Sequence, residues 1–196
     1  MIAIFTISAG LLLFTWVGYP ALIRLLASAR ARHPLDPTAS ETPLVSVIVA
    51  TRDPDASIIA RVQDILSGAY PAESLEVVVA LDVRRSPGQL HTPLPGAPGT
   101  VRVVQGDAAG GKAAALNAGV RAARGTILVF TDAGQRFAAD TIPRLVGALQ
   151  TNARLAAVSG ALATRAVAAG RVSVGDLYWR YERAVRANEA RVHSSI

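Results

Sequence analysis

Residues 106–112 read GDAAGGK, a G-x-x-x-x-G-K pattern. Glycines let a backbone approach an anion closely, and a helix N-terminus beside a lysine presents N–H groups and a compact positive charge. The spacing therefore suits a phosphate. Lys112 is the only lysine in a chain of 196 residues that otherwise uses arginine as its cation. A phosphate loop that cradles a nucleoside triphosphate continues with Ser or Thr to hold Mg²⁺; here the next residue is Ala113. Further groups suited to a nucleotide follow short apolar runs: Thr51-Arg52-Asp53, Asp82 and Asp132. A carboxylate that ends a strand, such as Asp132, suits a hard divalent cation, Mg²⁺ or Mn²⁺.

Those groups need a scaffold, and the apolar patterning supplies one. Val45–Ala50, Glu76–Leu81, Val101–Gln105 and Thr126–Thr131 read as short buried strands, with a fifth at Leu155–Ser159. Ser57–Leu66, Lys112–Arg124 and Asp140–Gln150 read as helices, the second closed by Gly125. Asp53, Asp55 and Asp132 are also plausible helix N-caps or turn residues. A last amphipathic helix runs from Asp176 to about Arg191. Alternation of helices with near-continuous apolar strands predicts an α/β fold, a mainly parallel sheet with helices on both faces. In such sheets ligands bind beyond the carboxyl ends of the strands, where Thr51 to Asp53, Asp82 and Asp132 all fall.

Ile2 to Ile23 carries no charged side chain, enough helix to cover roughly 30 Å of hydrocarbon. Arg24, Arg30 and Arg32 follow the run and no basic side chain precedes it. That asymmetry predicts one N-terminal transmembrane helix with the remainder on the cytoplasmic side of the cell (inner) membrane. A cleaved signal peptide is the rival; the run is longer than its usual apolar stretch and lacks a basic start. Gly18-Tyr19-Pro20 suggests a kink. The expected organisation is an anchor at 1–29, a basic then Pro-rich linker at 30–43, and a domain at 44–196.

The net charge of +6 is spread along the chain, and two Trp, four Tyr and four Phe offer little for stacking bases. These features argue against nucleic acid as a partner. Absence of cysteine excludes thiol and disulfide chemistry, and three distant histidines argue against a His-rich metal site.

Two readings compete for the glycine loop. A triphosphatase needs the missing hydroxyl at position 113, and it leaves Thr51 to Asp53 and Asp82 without a task. The alternative uses every strand end. The segments PLVSVIVATRD, SGAYPAESLEVVVALD, GGKAAALNAG, TILVFTDAG and YWRYERAVRANEA, in this order, resemble glycosyltransferase family 2, inverting enzymes with a GT-A fold. The "GYP" near the end of the anchor is also similar to membrane-associated members that build polysaccharides.

This resemblance implies a nucleotide-diphospho-sugar donor and a glycan or lipid-linked acceptor at a membrane. It implies that Thr51, Arg52 and Asp53 line the base and ribose, and that Asp82 accepts a hydrogen bond from the base. Lys112 and Asn117 lie on the helix near the diphosphate, and Asp132 is the metal ligand. The family's Asp-x-Asp is here Asp132-Ala133-Gly134, so the second carboxylate is missing. Glu182 and Glu189, seven residues apart on the last helix, fall where the family supports the acceptor. Its catalytic base follows that helix, so it is expected beyond Ile196, and the chain is expected to resemble the donor-binding half of a longer enzyme. A non-catalytic nucleotide-binding membrane module is the remaining alternative.

Overall fold

The computed structural model describes residues 1–29, 42–85, 90–97, 99–107, 110–151, 153, 155–160 and 174–192. The chain divides into two units, one of residues 35–158 and one of residues 1–34 with 159–196.

The first unit is a four-stranded parallel sheet. Its strands are β1 (Val45–Thr51), β2 (Leu75–Leu81), β3 (Val101–Gln105) and β4 (Ile127–Thr131), in the order β3-β2-β1-β4. Every residue of β1 and β2 is buried, as expected of central strands covered on both faces. Val45, Val47 and Val49 of β1 and Val77, Val79 and Leu81 of β2 share one face. Ile58, Val62 and Ile65 of α3 (Asp55–Leu66) and Ile142 and Val146 of α5 (Thr141–Gln150) pack there. The other face is thinner. Here α4 (Gly111–Ala122) lays Ala115 against Ala50 and Ala80. A Cβ at Gly119 would lie 2.6 Å from Ile48 Cγ2, so glycine sets how closely α4 approaches the sheet.

The strand order fixes the position of a site. The chain steps outward from β1 through β2 to β3, then returns by α4 to pair β4 with the other edge of β1. The strand order therefore reverses at β1, and a crevice opens beyond its carboxyl end. The opposite end of the sheet is tied by charge. Glu76, 3% exposed, accepts hydrogen bonds from Ser46 Oγ at 2.5 Å and from Arg124 N and Nε at 2.5 and 2.9 Å. Burial pushes its carboxyl up, but bonds from Ser46 and Arg124 outweigh burial and hold it below the usual range.

Several sequence expectations need correction. Residues 155–160 run mostly exposed and outside the sheet, so no fifth strand forms there; an apolar run without a neighbouring ladder gains nothing from extension. Gly125 does not close α4, whose C-cap is Ala123; a Cβ at Gly125 would lie 2.5 Å from Ser46 N, so close approach is its role. Pro54, not Asp53 or Asp55, occupies the N-cap of α3, and no side chain caps it.

The second unit contains one continuous helix over residues 2–28, long and apolar enough to cross a membrane. It comprises α1 (Ile2–Leu13), a π turn (Phe14–Gly18) and α2 (Tyr19–Ser28). Pro20 lacks an N–H, so the Trp16 carbonyl four residues earlier loses its helical donor. Tyr181 Oη donates to that carbonyl at 3.0 Å from α6 (Val174–Val192). The Tyr181 ring stacks on Trp16 with centroids 5.8 Å apart, and Tyr19 Oη donates to Glu189. Glu182 instead pairs with Arg186 one turn on, at 2.8 Å.

Candidate functional site

The site is built where β2 stops. Asp82, 2% exposed, follows Leu81, and its Oδ1 accepts backbone N–H bonds from Arg84 and from Gly111, each at 2.9 Å. These two amides hold the carboxyl below the usual carboxylate range. One carboxylate thus fixes both the turn after β2 and the first residue of α4. Gly110 and Gly111, with φ of 67° and 86°, make the turn that brings the Gly111 N–H onto Asp82. Gly110 also leaves room for Arg84, whose Nε would lie 2.6 Å from a Cβ there.

This geometry decides between the two loop chemistries. In a triphosphate cradle the loop amides point at phosphate. Here Gly106 N donates to Leu81 O, Gly110 N to Asp107 O and Gly111 N to Asp82. Protein acceptors hold these three amides, and a carboxylate stands at the start of the helix. The triphosphatase reading fails on this arrangement as well as on Ala113.

Around that anchor the strand ends converge. A cleft of about 410 Å³ is lined by Thr51, Arg52, Asp53, Asp82, Lys112 and Asp132, together with Arg84. Lys112 Nζ lies 2.5 Å from Asp132 Oδ1, closing an ion pair between the start of α4 and the end of β4. Arg52 Nε lies 3.7 Å from Asp82 Oδ2. Thr51 Oγ1 accepts the Asp53 N–H at 2.9 Å, which turns the chain out of β1. Asn117 does not join them. It is exposed on α4, away from the face of Ala114, Ala115 and Ala118 that packs on the sheet. A larger cavity of about 650 Å³ lies between β3 and residues 90–97, but among the described residues no charged side chain lines it.

Two arginines that sequence reading did not single out brace the cleft. Arg85, 5% exposed, pairs with Asp55 and donates from Nε to Asp53 O at 3.0 Å. The Asp55 carboxylate also accepts the His91 and Thr92 N–H groups at 3.0 and 3.2 Å, and the His91 bond above all holds its carboxyl low. Asp55 therefore ties three loops together rather than capping α3. Arg61 is fully buried under the end of β4, where its NH2 group donates to Thr131 Oγ1 at 2.6 Å. Burial pulls its pKa below the usual arginine value. A signal for Arg61 was present: it shares the apolar face of α3 with Ile58 and Ile65, a position where a charge is out of place.

The metal reading can be tested against these residues. Asp132 is half exposed at the cleft, and a Cβ at Gly134 would meet nothing within 4 Å. Open space and a hard oxygen ligand suit Mg²⁺ or Mn²⁺. Among the described residues no group of three or more acidic or histidine side chains is placed to hold a metal. Asp132 therefore fits a cation shared with a diphosphate rather than one enclosed by protein.

Comparison with known proteins bears on the family and the fold. The model of glycosyl transferase family 2 matches residues 46–184. A mannosyltransferase from Pyrobaculum calidifontis, solved with GDP-Man and Mn²⁺, superposes with a TM-score of 0.54 at 30% identity. The match covers 72% of this chain and 43% of the mannosyltransferase, so the chain spans less than half of that enzyme's length. No curated protein matches the chain. The chain belongs to glycosyltransferase family 2 and has its GT-A fold.

Proposed function

We propose that this member of glycosyltransferase family 2 binds a nucleotide-diphospho-sugar in the cleft beyond β1, as the donor half of a membrane-anchored transferase. One observation carries the reading: three strand ends and the start of α4, remote in sequence, bring Thr51, Arg52, Asp53, Asp82, Lys112 and Asp132 into one cleft. The mannosyltransferase complex with GDP-Man and Mn²⁺ supports a donor of this class.

Each residue then has a task. Asp82 Oδ1 is taken by two amides, so Oδ2, which faces Arg52 Nε at 3.7 Å, is the oxygen that would accept from a base. Thr51, Arg52 and Asp53 line the base and ribose side. Asp132 would hold Mg²⁺ or Mn²⁺, which supplies charge stabilisation to the diphosphate leaving group. Lys112, released from Asp132, meets the phosphate oxygens as a point charge. Asn117, exposed on α4, contributes no contact in the cleft. Attack by an acceptor hydroxyl needs a general base, and no described residue is assigned that task. The apolar helix of residues 2–28 supports an anchor; the basic residues that follow it favour a domain at the cytoplasmic face, and the acceptor in this reading is a glycan or a lipid-linked sugar.

Calorimetry on the full chain in detergent tests the proposal. GDP-mannose and UDP-glucose are titrated with and without Mn²⁺. Divalent-dependent binding of one of them, abolished by Asp82→Ala and by Asp132→Asn, is the expected result. Binding of neither, or ATP hydrolysis that disappears in Lys112→Ala, overturns it.

A further inference from the structure

A buried arginine needs a reason. Arg61 lies on the apolar face of α3, its side chain has no exposure, and its Nε has no hydrogen-bond partner. Withdrawing a cation from water is costly unless its surroundings compensate, and an aliphatic residue would fill the same face at lower cost. Apart from Asp64 on the same helix, the compensation leads to one segment, residues 131–137. NH1 pairs with Asp64, and NH2 donates to Thr131 Oγ1 at 2.6 Å. The guanidinium lies 4.0 Å from the centroid of the Phe137 ring. Asp64 Oδ2 also accepts the Phe137 N–H at 3.1 Å, and Arg136 NH1 donates to Ala60 O at 2.6 Å.

Both ends of the segment are thus gripped by α3, and Asp132 sits between the grips. Thr131 is the last residue of β4 and immediately precedes Asp132. Its hydroxyl also reaches Gln135 Oε1 at 3.3 Å, across the turn that Gln135 N closes on Asp132 O at 3.3 Å. With Gly134 in place of a second carboxylate, the turn has one acidic anchor for a cation, so its position depends on what holds the turn from behind.

We propose that Arg61 is a positioning residue for Asp132: through Thr131, Asp64 and Phe137 it sets the turn so that the single carboxylate meets a metal-bound diphosphate. This rests on the donor-binding reading above. Groups that orient a metal ligand from behind change metal affinity by roughly 10- to 100-fold when removed, and Arg61 would act in that manner without touching the ligand.

The test uses the full chain in detergent with GDP as the probe, measured with and without Mn²⁺. The variants are Arg61→Met, Arg61→Lys, Thr131→Val and the double change. Arg61→Met and Thr131→Val should each weaken Mn²⁺-supported GDP binding by roughly tenfold or more. Binding without Mn²⁺ should change by less than about twofold, and the double variant should lose little beyond the single ones. If Arg61→Met does not fold, Thr131→Val reads the same link without removing the arginine. Arg61→Lys, which keeps the charge but not the fork, should be intermediate. Folded variants with unchanged Mn²⁺-supported affinity overturn the proposal. So does an equal loss with and without Mn²⁺, which would make Arg61 only a structural brace. If the wild-type chain shows no Mn²⁺-supported GDP binding at all, the donor reading falls first and takes this inference with it.

Discussion

Lys112 Nζ lies 2.5 Å from Asp132 Oδ1, so the chain's only lysine is the counter-ion of its candidate metal ligand. The pair joins the start of α4 to the end of β4 across the mouth of the cleft. Its side chains are 62% and 51% exposed, so it adds at most about 1 kcal/mol to folding. Under the proposed donor-binding function its value lies in ligand binding.

Lys112→Met should therefore leave thermal unfolding almost unchanged while weakening Mn²⁺-supported GDP binding by roughly tenfold or more, the share of a charge-assisted hydrogen bond. Lys112→Arg should restore only part of the loss, because a planar fork does not replace a compact ammonium in a tight site. Calorimetry beside a melting curve measures both. Equal affinity in wild type and Lys112→Met would remove Lys112 from the site.

Asp82 predicts a dependence of stability on pH. The Arg84 and Gly111 amides hold its carboxyl below the ordinary value, so the folded state favours the ionised form. The stabilisation is fully present above the ordinary carboxyl range, around pH 4, and is lost as pH falls through the depressed folded value. Asp55 and Glu76 are depressed too, but they remain in both proteins and cancel in a comparison. Urea unfolding of wild type and Asp82→Asn should give a stability difference that shrinks between about pH 6 and about pH 3. A difference constant with pH would mean that the two amides do not bind a carboxylate.

Gly134 offers a gain of function. Its φ is outside the left-handed region, and a Cβ there meets nothing within 4 Å. Gly134→Asp should fold with a stability change within about 0.5 kcal/mol. The added carboxylate should tighten binding of Mn²⁺ alone by roughly tenfold, since affinity for a hard cation follows ligand charge. The EPR signal of free Mn²⁺ reports this directly. Unchanged Mn²⁺ affinity in a folded variant would place the cation away from residues 132–134.

Glu76 separates stability from function. It joins β2 to Ser46 and Arg124 at the end of the sheet opposite the cleft. Glu76→Ala removes the acceptor of the buried Ser46 hydroxyl and of the more exposed Arg124, and should cost about 2 kcal/mol. GDP affinity should stay within about twofold, as expected for sites that share no partners. Chemical denaturation and calorimetry on one sample decide it; a parallel loss of affinity would show that the two ends of the sheet are coupled.

Much of this was legible along the chain. The four strands and the helices between them follow from apolar runs that pair with a sheet or a helix face, and boundaries fall within a few residues of the expected ones. The strand-terminal Asp82 and Asp132 stood out because a charge ending a buried strand needs compensation, which Asp82 takes from two amides and Asp132 from Lys112 and solvent. Leu155–Ser159 misled because an apolar run signals only a wish to be buried, and the partner strand that would make it a strand lies elsewhere. A local cap was one of two readings open for Asp55, because capping is a short-range bond, whereas its carboxylate turns to Arg85, thirty residues away.

The sequence by itself determined the α/β alternation, the apolar N-terminal helix and the set of polar residues at strand ends, because side-chain periodicity and local turn chemistry act between near neighbours. Only the tertiary structure decided the strand order β3-β2-β1-β4, and with it the meeting of Lys112 with Asp132 and of Gly111 with Asp82. It alone decided that Arg61 reaches Thr131, seventy residues on. Those pairings depend on which helix crosses which face of the sheet, and a buried charge takes the partner that folding brings within reach.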